Sequence, residues 1–457
     1  MRGNPELIRN VWLELSLHRL IVMPAVLGIL FLLGYLSNSH ELDQFTAIMA
    51  AMLFCAVALV WGTRVASESV IQEINNKTWD TQRMSALGPW QLAVGKLFGS
   101  TIYVWYGGVI CLALYALSYY GILPPAHIAK LTLLYAGCGV LAHAIGMLMS
   151  MLAVQKRREF GRIQVTFYQF LGLIAALPVL YIGLAGIADD GMYRVLFWYD
   201  RVYNLIDFTL ASLAAIVLCA VIGLYRLMRA ELQMVNAPWV WVAFCVVTAL
   251  FMSGVRLIPP ELNPGMPDVS LKIFHGYVTL FVLTYVVLFA EPKNRILMRR
   301  LRRNAELGEW PAFIANIPRS LPTAFLFLMA TVLVLRTSQA NFTILQQDVN
   351  FQLVVIAAFI FYLRDMMFVF FMNLRKPSPR ADMNAFLYLL LAYTIVPVVL
   401  SALGLDTLTS LFWPRWDAPA ALTIGPVIVE AAVMAGLLIH QWRRNVVSDA
   451  GVEEIKS

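Results

Sequence analysis

Charge is scarce in this chain. Asp, Glu, Lys and Arg make up 13% of its 457 residues, while 60% are hydrophobic. A soluble domain is about 25% charged. The deficit excludes a string of soluble domains, and with a mean hydropathy of +0.72 it implies an integral membrane protein. Cysteine is also sparse. Cys55, Cys111, Cys138, Cys219 and Cys245 all lie inside apolar runs, with no metal-ligand spacing, so they read as small core residues. No Gly-x-x-x-x-Gly-Lys-[Ser/Thr] occurs: Trp90 stands five residues before Gly95-Lys96, and Leu97 follows it. The chain is therefore not itself a P-loop ATPase. No nucleophile–base or metal-ligand constellation stands out, so no enzyme activity is expected.

What is present is a series of apolar runs. Twelve are long enough, or nearly so, to cross a bilayer as helices of about 20 residues. They fall at 20–36, 45–65, 92–117, 131–154, 165–188, 208–225, 239–255, 273–290, 314–335, 353–372, 386–403 and 421–440. Of the 34 Lys and Arg residues, 26 fall on the side that holds both termini, seven on the other, and Arg364 within a span. That bias predicts an all-α integral membrane protein with both termini in the cytoplasm. The net charge of +7 thus reports topology rather than nucleic-acid binding.

The two halves echo each other. Leu87-Gly88-x-Trp90 recurs as Leu307-Gly308-x-Trp310, Lys156 as Lys376, Pro178 as Pro397, and Leu196-Phe197-Trp198 as Leu411-Phe412-Trp413. The order is kept and the offsets are nearly constant. They predict a 6+6 tandem repeat, residues 1–229 and 230–457, as parallel repeats about an axis along the membrane normal. Asn4-Pro5 followed by Leu7, Ile8, Val11, Trp12 and Leu15 on one stripe predicts an interfacial helix over about 4–18. A loose tail is expected over 445–457.

The polar stretch between the second and third spans, about 68–96, contains EINNKTWDTQRMSALGPWQLAVGK. Two tryptophans in a polar loop are costly unless covered, which argues against a solvated linker. Thr78 is placed to cap a short helix, with Asp80 in its first turn. Glu73, Thr78-x-Asp80, Ser85, Leu87, Pro89 and Gly95-Lys96 resemble the cytoplasmic loop of type-2 permeases of ATP-binding-cassette (ABC) transporters. Ala86-Leu87-Gly88 departs from the earlier proline of many members. The resemblance covers about 1–230; the second half is reached only through the repeat.

That resemblance implies a coupling helix docking in a groove of a separate ATPase subunit, through Glu73, Thr78, Trp79, Asp80, Arg83, Leu87, Trp90 and Lys96. Two halves imply two such subunits, with ATP and Mg on them and no cofactor in this chain. It also implies the bacterial inner membrane, an exporter, an interfacial helix before the first span, and short re-entrant helices at the two Leu-Phe-Trp loops. The second coupling-like loop, about 291–320, keeps Leu307, Gly308 and Trp310 but loses Thr-Trp-Asp, so unequal docking sites are expected. Its Arg299, Arg300, Arg302 and Arg303 read as topology and lipid head-group contacts.

His143, Arg364, Asp365 and Glu430 fall within spans, where ionisable groups need partners. Arg364 and Glu430 lie at one depth and are expected to pair. Asp365, about 100° away round the helix, is not expected to be the main partner. Family geometry would put Tyr168, Gln169, Tyr181, Tyr285, Tyr388 and Tyr393 along a cavity. Such an uncharged, aromatic lining suits a hydrophobic or amphipathic cargo. The competing reading is a 6+6 secondary transporter of the major-facilitator kind. It would need a short Gly-x-x-x-Asp-Arg loop and a long central loop, and the chain has neither.

Overall fold

In the computed structural model the described residues are 3–37, 42–156, 162–186, 195–234, 236–256, 268–293, 295–337, 341–344, 347–375, 381–415 and 419–447. Lys376 and most of the expected tail lie outside them. The chain divides into two compact units: Met1–Leu196 with Val202–Asn236, and Phe197–Arg201 with Ala237–Ser457.

The first unit opens with α1 (Pro5–Glu14). The Asn4 side chain accepts the Glu6 and Leu7 N–H groups, and Pro5 takes the first helical position. Proline suits that place because its missing N–H would have no intrahelical partner. The helix stops at Leu15, short of residue 18, and α2 (Leu17–Ser37) follows. A single long helix comes next, α3 (Gln44–Phe54) running through a π-helical stretch, Cys55–Trp61, into α4 (Gly62–Asn75). Then come α5 (Trp79–Arg83), α6 (Pro89–Gly99), α7 (Ile102–Ser118), α8 (Pro125–Gln155), α9 (Arg162–Ala185) and α10 (Leu205–Glu231). Buried residues lie on every side of α8, as expected for a central helix, and it packs against α4, α9 and α10.

The second unit contains α11 (Trp239–Gly254), α12 (Asp268–Ala290), α13 (Arg295–Glu306), α14 (Trp310–Asn316), α15 (Ser320–Thr337), α16 (Phe351–Arg375), α17 (Ala381–Ala402) and α18 (Ala420–Trp442). Here α12 packs against α11 and α15, and α16 against α17 and α18.

Among the described residues ten helices are long and apolar enough to cross a membrane. An eleventh span arises if α6 and α7, bent by 51°, count as one. The chain is therefore a multi-span helical membrane protein. The expected run at 239–255 forms a helix, but its 16 residues reach only about 24 Å, short of a bilayer core of about 30 Å.

The Leu-Phe-Trp loops depart from expectation. In the first, Leu196-Phe197-Trp198 lies in strand β1 (Val195–Trp198), not in a re-entrant helix. A turn at Tyr199 and Asp200, both at positive φ, leads to β2 (Arg201–Asn204). Phe197 and Trp198 pair with β3 (Val255–Arg256). In the second, a 3-10 turn at Asp406–Leu411 precedes Phe412. Strands β4 (Asn341–Ile344) and β5 (Gln347–Asn350) form a hairpin for which the sequence reading made no provision.

Candidate functional site

The polar stretch between α4 and α6 is an ordered elbow. Lys77 adopts a left-handed conformation after α4, and the Thr78 N–H returns to the Glu73 carbonyl at 2.9 Å, closing the helix end. Thr78 then sits at the start of α5 but does not cap it. Its hydroxyl donates backward to the Glu73 carbonyl at 3.2 Å. The expected side-chain cap is absent because the closing turn of α4 already claims that hydroxyl.

Behind the elbow lies a ring of alternating charge. Glu73 accepts Arg9 Nη2 at 2.6 Å and Gln82 Nε2 at 2.6 Å, and its other oxygen meets Lys96. Lys96 also bonds Glu6 at 3.1 Å, and Arg9 bonds Glu6 at 3.0 Å. Glu6 and Lys96 are each 1% exposed. Two carboxylates and two cations sum to zero, so the ring, buried at Glu6 and Lys96 and open to solvent at Arg9, carries no uncompensated charge. Burial alone would lower the Arg9 pKa; Glu73 and Glu6 outweigh it and hold the guanidinium above its ordinary value.

The ring explains why α1 is buried on its polar face. Glu6 and Asn10, one turn apart, point inward, while Trp12 is 82% exposed. Asn10 Nδ2 donates to the Glu6 carboxylate at 3.1 Å, and Asn4 Nδ2 to the Gln91 carbonyl at 2.8 Å. Close approach of α1 to α6 requires Gly95 and Gly99. A Cβ at Gly95 would stand 2.7 Å from Glu6 Cβ, and one at Gly99 2.7 Å from Asn10 Cβ. Glu6, Arg9 and Asn10 did not stand out in the sequence because the apolar stripe of α1 is its stronger periodic signal. Polar residues at i and i+4 on the opposite face were the available signal.

Trp79 does not lie on the surface. It is 5% exposed, packs into the core of the first unit, and lies under Lys96 Nζ, 5.2 Å from its ring centroid. The first turn of α5 can bury an aromatic against the unit because Gln82 and Arg83 anchor the next turn: Arg83 Nε donates to the Glu231 carbonyl at 3.1 Å. The outward face consists of Asp80, Thr81, Met84, Ser85 and Ala86, with Trp90 half-exposed and set edge-on to Tyr225. Leu87 is partly buried against the core.

The second elbow differs. Gly308, at positive φ, closes α13, whereas Gly88 is extended and opens α6. The shared Leu-Gly-x-Trp thus serves two backbone roles. Leu307 and Trp310 are each 60% exposed, and no residue of α14 is buried. Glu291 fixes this region: its carboxylate accepts the Arg319 N–H at 2.6 Å and the Ser320 N–H at 3.2 Å, capping α15. Burial holds the Glu291 carboxyl above the usual carboxylate range, and those donors offset only part of the effect.

Within the spans, Arg364 reaches Glu430 through Nη1, as expected from their common depth. Asp365 is a main partner as well, contrary to expectation. Its Oδ1 takes Arg364 Nε at 3.0 Å and Nη2 at 2.8 Å, because the long guanidinium stem folds back across the 100° between the two side chains. Oδ2 accepts the Tyr285 and Tyr393 hydroxyls at 2.7 and 2.6 Å. These two tyrosines are occupied by the cluster. Tyr388 is half-exposed on α17, and Tyr181 is 75% exposed on α9.

In the first unit, the wide π-turn presents carbonyls to neighbouring helices. His143 Nε2 bonds Ala58 O at 2.7 Å, and Gln169 Nε2 donates to Val60 O at 2.9 Å. Tyr168 is buried beside Ile71 and Val165. No family model, curated protein or solved structure matches the chain.

Proposed function

We propose that this chain is the permease subunit of an ATP-driven exporter of the ABC type, with both six-helix halves fused and residues 77–90 coupling it to a separate ATPase. The observation that carries the reading is the elbow around α5. Its inner face is locked to α1 by a neutral ring of charges whose Glu6 and Lys96 are buried, while its outer face presents Asp80, Met84 and half of Trp90 to solvent. A loop that only joined two spans would need no such anchoring. Rigid attachment to both α4 and α6 suits the transmission of force into two helices.

The recurring order of elements supports the duplication. Each unit has a bent or two-part elbow, then an apolar helix, a long packed helix, a helix with a proline inside it (Pro178 in α9, Pro397 in α17) and a last long helix. Twelve spans, cytoplasmic termini, a bacterial inner membrane, two ATPase copies and a hydrophobic or amphipathic cargo complete the proposal. A secondary transporter is the second reading, favoured by the Arg364–Asp365–Glu430 cluster, since buried charge at membrane depth often marks coupled ion movement.

Affinity purification of the tagged full chain from native membranes separates the two. Co-purification of a P-loop ATPase, lost on Asp80→Arg with Met84→Glu, is expected. Transport by the purified chain alone, driven by an ion gradient without nucleotide, overturns the exporter.

A further inference from the structure

Helix α13 carries five arginines against one acid, Glu306, in twelve residues. They fall into two sets. Arg295 donates to the Leu374 and Arg375 carbonyls at 3.1 and 2.8 Å, Arg299 to the Asn445 carbonyl at 3.1 and 2.9 Å, and Arg302 to the Val446 carbonyl at 3.3 Å. These three neutralise the carbonyl ends of α16 and of the π-helical continuation of α18 at Arg443–Val447. Arg299 and Arg302 thus have carbonyl partners beside any part in topology or lipid contact.

Arg300 and Arg303 are different. They lie on the neighbouring face, are exposed, and make no ion pair among the described residues. With Ile296 and Leu307, which are 78% and 60% exposed, they form one stripe at spacings of four, three and four. Apolar ends around a basic centre suit a helix lying at a bilayer surface.

A groove of about 530 Å³ opens on the last turns of α18, lined by Leu438, Ile439, Trp442, Arg443 and Val447. No acid lines it. The helix is long and apolar enough to cross a membrane, so a groove at its end opens where acyl chains meet head groups. The stripe lies on the helix whose Arg299 and Arg302 hold the Asn445 and Val446 carbonyls, and the groove is lined by the residues that flank those two in sequence, among them Arg443 and Val447.

We propose that this joint is a binding site for an anionic phospholipid. An acyl chain lies along Leu438, Ile439 and Trp442, and the phosphate meets Arg300, Arg303 and Arg443. The proposal does not depend on the exporter reading. Three cations with no acid among them favour a lipid of net negative charge over a zwitterionic one.

The test uses the full-length chain in mixed micelles, with native mass spectrometry counting retained phosphatidylglycerol and phosphatidylcholine. The wild type should retain phosphatidylglycerol preferentially, weakening at high salt, and millimolar inorganic phosphate should not displace it. Arg300→Gln, Arg303→Gln and Arg443→Gln should each lower phosphatidylglycerol retention about fivefold, from roughly 1 kcal/mol per arginine at an anionic surface. Because Arg300 and Arg303 make no ion pair among the described residues, their single variants should fold as the wild type and decide the matter if Arg443→Gln does not. Equal retention of both lipids, displacement by free phosphate, or undiminished retention in the single variants overturns the proposal. So does a patch that captures an acidic protein while showing no lipid preference.

Discussion

Lys96 is fully buried between Glu6 and Glu73, and its removal leaves two carboxylates sharing one cation, the partly exposed Arg9. Breaking a buried pair by removing one partner costs about 3–5 kcal/mol. Lys96→Met should therefore lower the Tm of the detergent-solubilised chain sharply, and adding Glu6→Gln should recover part of the loss. A Tm unchanged by Lys96→Met would mean that the ring contributes nothing. Glu291 gives a pH signature. Its folded-state pKa is raised, so its contribution to stability is largest below the ordinary carboxylate pKa and falls as pH rises through the raised value. The Tm advantage of wild type over Glu291→Gln should shrink from acid to neutral pH. An advantage that is constant with pH, or grows, contradicts the assignment. Glu73 and Lys96 drew notice in the sequence through their motif, but Glu6 did not: nothing in a ten-residue helix says which face another helix will cover.

At the scale of elements, α5 separates packing from docking. Trp79→Ala is expected to destabilise the first unit by about 3–5 kcal/mol, as for other buried tryptophans. Met84→Ala, at a side chain 82% exposed, should leave the Tm within about 1 °C, since exposed changes lie within about 0.5 kcal/mol. Paired melting curves check this, and equal losses would count against the inward placement of Trp79. The amphipathic pattern of α5 is too short, at five residues, to reveal which side is buried. The backward bond of Thr78 was likewise invisible, because a hydroxyl at a helix start has two uses and the end of the preceding helix decides between them.

For the whole molecule, Phe197–Arg201 apart, the boundary between compact units falls at Asn236–Ala237, a few residues beyond the expected cut at 229–230. Splitting the gene there should give two polypeptides that each insert in the membrane and co-purify. Failure of the first, Met1–Asn236, to accumulate alone would contradict an independently packed unit. The sequence by itself determined the solvent of this protein, its helical class and the place of nearly every long helix, because apolar runs and charge counts act locally, through transfer of each segment into lipid. The tertiary structure alone decided that α1 turns its polar face inward, that Asp365 joins Glu430 on Arg364, and that like motifs adopt unlike backbones at Gly88 and Gly308. Those outcomes depend on which helices meet, and the partner of a buried charge is fixed by what lies opposite it in space rather than along the chain.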